Sequence, residues 1–199
     1  MFNHLKIEQN QSDCILVLTE KTWADYEKLT SENPNPNFLI SYLNNVIYIV
    51  SPSRNHERLA QTIIILINAY CRKYQIPYYL LGSQDIKKQS ISGKQPDASY
   101  CFHSEKEFPD LAIEINYTSG SIDDLEKYKL LGIPEVWIWQ DNTFTFHRLT
   151  DGKYLSIKTS QALNTQKTPS LSPGFISRFV NRGLTEDNLT IETDFFQAL

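Results

Sequence analysis

The chain has 199 residues, of which 41% are hydrophobic and 12% aromatic, enough for a packed core and too much for a disordered chain. Its formal net charge of −4 exerts no long-range pull on nucleic acid, so any DNA contact has to come from a local basic patch. Cys14, Cys71 and Cys101 lie far apart without C-x-x-C spacing, which excludes a disulfide frame and a zinc site and reads as reduced thiols of a cytoplasmic protein.

The polar start MFNHLKIEQNQSD carries no secretory signal, and the longest unbroken apolar run, Ile63 to Ile67, is too short to span a bilayer. The expectation is a soluble protein with no membrane partner, folded as a single domain over 1–199.

Cys14 to Leu18 is a short strand candidate. Thr22 is placed to cap a helix over Trp23 to Leu29, where Trp23, Tyr26 and Leu29 recur at helical spacing. SENPNPN (31–37) breaks any regular element and predicts a turn. Phe38–Leu43 and Val46–Val50, joined by Asn44-Asn45, predict a β-hairpin. After SPSRN, Asn55 is a candidate cap for a long helix from His56 to about Tyr74, with Leu59, Ile63, Leu66, Ile67 and Tyr70 on its buried face. Tyr78–Leu81 starts a strand, Gln84–Lys88 extends the same sheet, and Ser90–Lys94 reads as a turn. Strands at Asp97–Phe102 and Leu111–Asn116 precede a helix from about Ile122 to Leu131, stopped by Gly132. Glu135–Gln140, Thr143–Leu149 and Tyr154–Lys158 read as further strands, and the tail as short helices packing Phe175, Phe179, Phe195 and Phe196 onto the body. Helix, three strands, helix, strand is an α/β or α+β pattern.

Two of these strands carry acids that a buried strand does not ordinarily hold, Asp97 and Glu114. Desolvating a carboxylate is expensive, so such acids usually hold a cation or do chemistry. Strand alternation puts Glu114 on one face with Ala112 and Asn116, and Asp97 on one face with Ser99. If the strands are neighbours, the two carboxylates converge. Two carboxylates with carbonyls and waters suit Mg²⁺ or Mn²⁺, which can activate a water and polarise a phosphodiester. The plainer alternative is that Asp97 only follows Pro96 into a strand and Glu114 pairs with a lysine or arginine. Asp110 reads as a cap rather than a ligand. Gln84, Lys87, Arg54, Arg58, Arg72 and Lys73 are either phosphate contacts or surface residues. His4, His56, His103 and His147 have no zinc spacing, and His56 reads as structural at the helix start. Trp137 and Trp139 read as core bulk rather than platforms for bases. No glycine-rich phosphate loop and no G-x-S-x-G elbow is present.

The run PD…PDLAIEI…TSG…LEKY…LGIPEVW, with SPSRNHERL before it and LSPGF after it, resembles the Uma family of restriction endonucleases in the PD-(D/E)xK nuclease superfamily, over roughly residues 20–199. The resemblance implies a restriction-endonuclease-like α-β-β-β-α-β core, an α/β fold with a mixed central sheet flanked by helices behind an N-terminal β-hairpin. It also implies a Mg²⁺- or Mn²⁺-dependent hydrolase acting on DNA. Asp97 and Glu114 match the family's metal-binding acids, and Glu57 falls near an acid that the superfamily often places on its first helix. The motif lysine does not match. The position two after Glu114 is Asn116, and the position four before the motif tyrosine, Tyr128, is Asp124. Lys127, one helical turn from Asp124, is the nearest substitute. Asp124 therefore reads either as a lysine replaced by Lys127 or as the mark of a weakened site, leaving a DNA-binding or protein-interaction module. A homodimer is left open in both readings.

Overall fold

The computed structural model describes residues 12–32, 38–117, 124–164 and 168–199. The turn expected at 31–37 and the beginning of the helix expected from Ile122 fall largely outside them. The described residues form a mixed α/β fold of two sheets and five α-helices.

The first strand, β1 (Cys14–Leu18), leads to helix α1 (Trp23–Ser31), whose start is fixed by reciprocal hydrogen bonds between Thr22 and Asp25. Strands β2 (Leu39–Leu43) and β3 (Val46–Ser51) form the expected hairpin. Asn44 and Asn45 both take positive φ, 48° and 63°, as a two-residue turn between right-twisted strands requires.

Helix α2 (Arg54–Tyr74) starts two residues earlier than expected. Ser53, not Asn55, is its cap: Ser53 Oγ accepts from the His56 N–H, and Asn55 instead donates to the Tyr117 hydroxyl at 3.0 Å. Strand β4 (Tyr78–Leu80) follows. Strands β5 (Ile86–Lys88) and β6 (Ser92–Lys94) correct two expectations. Residues 84–88 do not extend the sheet of β4, and Ser92–Lys94 is not part of a turn. With Ser90 at φ 60°, the chain turns between the two and β6 returns beside β5. Strands β7 (Ala98–Phe102) and β8 (Leu111–Asn116), helix α3 (Asp124–Leu131), and strands β9 (Glu135–Gln140), β10 (Thr143–Thr150) and β11 (Lys153–Ile157) complete the middle of the chain. Helix α4 (Pro173–Val180), a 3₁₀ turn at Asn181–Leu184 and helix α5 (Asn188–Ala198) form the tail.

One sheet is antiparallel, in the order β1-β3-β2-β6-β5. The other runs β11-β10-β9-β8-β7-β4 and is mixed, because β8 and β9 are parallel while its other pairs are antiparallel. A parallel pair needs a crossover, and α3 lies on that crossover.

The apolar stripe of α2 packs on one face of the mixed sheet, with Leu59, Ile63 and Ile67 against Ala98, Tyr100, Ile113, Ile115 and Trp137. Phe179 and Phe195 of the tail close the same core, but Phe196 is 41% exposed, with Lys73 over its ring. Trp137 and Trp139 are buried, and Trp137 stacks on Phe146. On the other face, Tyr128 and Leu131 of α3 pack with Ile86, Ala112 and Val136. That face therefore meets the antiparallel sheet, and the gap between the two sheets is where the acids lie. Among the described residues no helix is long and apolar enough to cross a membrane.

Candidate metal and phosphodiester site

Strand alternation in β8 sends Leu111, Ile113 and Ile115 toward α2 and Glu114 toward α3 and the second sheet. Asp97 stands just before β7. Its own N–H donates to the Ile113 carbonyl at 3.1 Å, and its Oδ2 accepts from the Ile115 N–H at 2.6 Å. The side chain thus continues the β7–β8 ladder and is fixed by it.

Asp97 Oδ1 lies 2.8 Å from His56 Nε2, and His56 Nδ1 lies 3.1 Å from Asp13 Oδ2. Asp13 Oδ1 in turn accepts from the Ser53 N–H that opens α2. Burial would lower the imidazole's pKa, but Asp97 and then Asp13 outweigh it and push it up to about 10. His56 is therefore a buried cation held between two carboxylates.

Glu114 is 5% exposed. Its Oε2 is 2.8 Å from Lys94 Nζ, and its Oε1 accepts from the Tyr128 hydroxyl. The same ammonium is 3.2 Å from Asp124 Oδ1, which Lys127 Nζ also meets at 3.2 Å. Lys127 sits 4.2 Å over the Tyr48 ring. Burial raises Glu114 to about 8 against the pull of Lys94, with Asp124 and Asp97 adding to the rise. For Asp124 burial acts upward, yet Lys94 and Lys127 hold its carboxyl below the usual range. Burial and Lys94 lower Lys127, while for Lys94 itself Asp124 and Glu114 overcome burial and keep the ammonium charged.

His56, Lys94, Asp97, Glu114, Asp124 and Lys127 line one cavity of about 50 Å³, closed on its far side by Leu39, Tyr48 and Val50 of the antiparallel sheet. Both strand acids lie in it, so the convergence expected from alternation is what the fold produces. Glu114 also pairs with a lysine, as the plainer alternative has it. Lys127 lines the cavity too, bound to Asp124 and the Tyr48 ring. Glu57 does not line it. It is exposed on α2 and faces a separate cavity of about 220 Å³, with Gln61, Ser83 and Asp97 in its wall. Partial desolvation raises Glu57; His56 opposes the rise, and Asp97 and Asp13 add to it.

The sequence reading missed Lys94, the Asp13–His56 pair and the double lysine contact of Asp124. Lys94 stands three residues before Asp97, a basic residue beside the motif that could have been weighed. Asp110 accepts from the Phe102 N–H and pairs with Lys106, a capping role. Lys87 is exposed and 3.7 Å from Asp85, while Arg72 and Lys73 are tied to α5 through Glu192 and the Phe196 carbonyl. Arg54 and Arg58 remain exposed on α2.

The donor set fits a hard divalent cation. Asp97 and Glu114 present carboxylate oxygens, and each oxygen keeps a second lone pair beyond the bond described. With Glu114 ionised, the four carboxylates Asp13, Asp97, Glu114 and Asp124 exceed the cations His56, Lys94 and Lys127 by one charge. Among the described residues no three acids, histidines or cysteines form a ready cage. A cation here would use the carboxylate pair and fill its shell with waters and substrate oxygens, as Mg²⁺ commonly does.

A family model, Uma2, described as "Putative restriction endonuclease", matches residues 23–182. Comparison with curated proteins finds no match.

Proposed function

The chain belongs to the Uma2 family, and from that premise we propose that it is a metal-dependent endonuclease hydrolysing phosphodiester bonds of DNA. The observation that carries the reading is the meeting of Asp97 and Glu114, buried, in one cavity with cationic side chains on its wall. The mixed sheet supports it. Leaving aside β5 and β6, which belong to the other sheet, and the later β10 and β11, the chain runs α2-β4-β7-β8-α3-β9, an order compatible with such a core.

Asp97 and Glu114 would hold Mg²⁺ or Mn²⁺. When bound, the ion supplies Lewis acidity toward the phosphodiester and acidifies a water. The protein's own groups prepare that site. His56, charged and locked by Asp13, holds the Asp97 side chain in place through Oδ1. Tyr128 orients Glu114 through its hydroxyl. Lys94 and Lys127 hold positive charge where negative charge gathers on the phosphoryl oxygens, a form of stabilisation that gains strength in a dry, low-dielectric site. Glu57, which shares the wall of the second cavity with Asp97, would assist through a water.

The test uses supercoiled, linear and single-stranded DNA with Mg²⁺ or Mn²⁺, and calorimetric titration of the metal. The wild type is expected to nick DNA, while Asp97→Ala abolishes cleavage and weakens metal binding. A wild type that cuts none of these, with Asp97→Ala leaving metal binding unchanged, removes the reading.

A further inference from the structure

Lys94 comes from the sheet that carries neither acid of the pair. Its strand, β6, is bonded on both edges, to β2 (Ser41 opposite Lys94) and to β5 (Ile86 opposite Lys94), so it cannot slide. Gly93 lets it lie against α1, since a Cβ there would come 2.3 Å from the Tyr26 ring. The strand held in this way places the Lys94 ammonium, on a residue only 7% exposed, 2.8 Å from Glu114 and 3.2 Å from Asp124. Lys127 has the other position. Its bonded partners are Asp124 and the Tyr48 ring, one step further from the strand acids.

We propose that Lys94 is the catalytic lysine of this chain, that Asp124 positions it, and that the two have exchanged places across the gap between β6 and α3. The inference rests on the nuclease reading and assigns its cation. In the hydrolysis, a water oxygen bonds to phosphorus, one phosphorus–oxygen ester bond breaks, and the water's proton ends on the departing sugar oxygen or in solvent. Lys94 keeps its proton throughout and meets the charge on the phosphoryl oxygens. Lys127 holds Asp124 from the other side, so that Asp124 is shared between two ammoniums and cannot turn away.

The experiment compares the wild type, Lys94→Met, Lys94→Arg, Lys127→Met, the single changes Lys94→Asp and Asp124→Lys, and the exchanged double variant Lys94→Asp/Asp124→Lys by DNA cleavage, Mn²⁺ calorimetry and thermal unfolding. Lys94→Met is expected to lower the cleavage rate about 100-fold, the cost of losing one charge-stabilising donor, while still binding Mn²⁺. Lys94→Arg should retain part of the rate, and Lys127→Met should lose less than Lys94→Met. The double variant should melt closer to the wild type than either of its single changes and recover cleavage about tenfold or more above Lys94→Met. Lys94→Met cleaving at the wild-type rate, Lys127→Met losing more, or Lys94→Met losing Mn²⁺ binding together with activity each overturn the assignment. If Lys94→Met does not fold, the double variant decides: folded and cleaving supports the exchange, folded and inert overturns it. A wild type that cuts no DNA removes the nuclease reading and this role with it, whereas a cleaving wild type matched by Lys94→Met removes this role alone.

Discussion

Glu114 and His56 both hold protons in the folded chain that the unfolded chain would release. Burial raises Glu114 from 4.5 to about 8 despite Lys94, and Asp97 and Asp13 overcome burial to raise His56 from 6.5 to about 10. The stability that His56 gains from its two acids is complete below about pH 6.5 and is lost as pH rises through about 10. Glu114 acts in the same direction, because ionising it in the fold becomes costly above about pH 4.5 and more so up to about 8. Lys127, lowered by burial and Lys94, opposes only toward the alkaline end. In EDTA, stability should therefore fall from pH 5 to pH 9, with a slope of up to about 1.4 kcal/mol per pH unit for each proton involved. Urea unfolding across that range measures it. Glu114→Gln should flatten the lower part, His56→Gln the upper, and Mg²⁺ should flatten the Glu114 part. Rising stability over this interval contradicts the assigned shifts. Asp124 makes a second case at this scale. Its one oxygen faces two buried ammoniums, so Asp124→Asn leaves Lys94 and Lys127 against each other. Breaking a buried ion group in this way should cost about 3–5 kcal/mol, visible as a lower urea midpoint at unchanged slope.

Strand β6 is three residues long, yet it carries Lys94 to the site and depends on a glycine to do so. Gly93→Ala would drive a methyl into the Tyr26 ring, whose hydroxyl is already bound to Asp85. Overpacking of this kind typically costs about 1–3 kcal/mol, and here it should also displace Lys94. Thermal unfolding and cleavage should thus fall together in Gly93→Ala, and full activity with unchanged melting would show that β6 does not set the lysine. The same strand explains what could and could not be read from the residues. The hairpin at Asn44-Asn45, the Thr22 cap, the body of α2 and the existence of the two acid-bearing strands follow from local rules of turn chemistry, capping and alternation. β6 has no periodicity to detect, and its Ser-Gly-Lys composition imitates a turn. The cation chain is equally hidden, because His56 meets Asp13 and Asp97 from 43 and 41 residues away. Lys127 was legible because α3 places it one turn from Asp124, whereas Lys94 needed the pairing of two sheets. Nor does helix position alone show that Glu57 opens on a different cavity from Glu114.

Across the whole molecule, Asp97 and Glu114 stand on the mixed sheet and Asp124 on α3, while the closing wall and Lys94 come from the antiparallel sheet. A cavity of about 50 Å³ holds an ion or a water or two, so on the proposed nuclease reading a nucleic acid would meet this site from its rim and not thread it. With a net charge of −4, long-range attraction toward DNA is absent, and binding must rest on a few cations that release counterions locally. Arg54 and Arg58 suit that role. They are exposed on the first turns of α2, either side of the His56 that locks Asp97, whereas Arg72 and Lys73 further along are committed to α5. Their shared groove also contains Glu186 and Asp187, which sets a limit on how much phosphate it draws. DNA affinity is accordingly expected to be modest and to fall steeply with salt. Measured by anisotropy with Ca²⁺ in place of Mg²⁺, the slope of log affinity against log salt should drop by about 0.9 for each arginine replaced in Arg54→Ala and Arg58→Ala, and by about twice that in the double variant. Metal titration should be unchanged in the same variants, since neither side chain lines the cavity that holds Asp97 and Glu114. An unchanged salt slope would place the phosphates on another face, and with them the route by which a strand reaches Asp97 and Glu114.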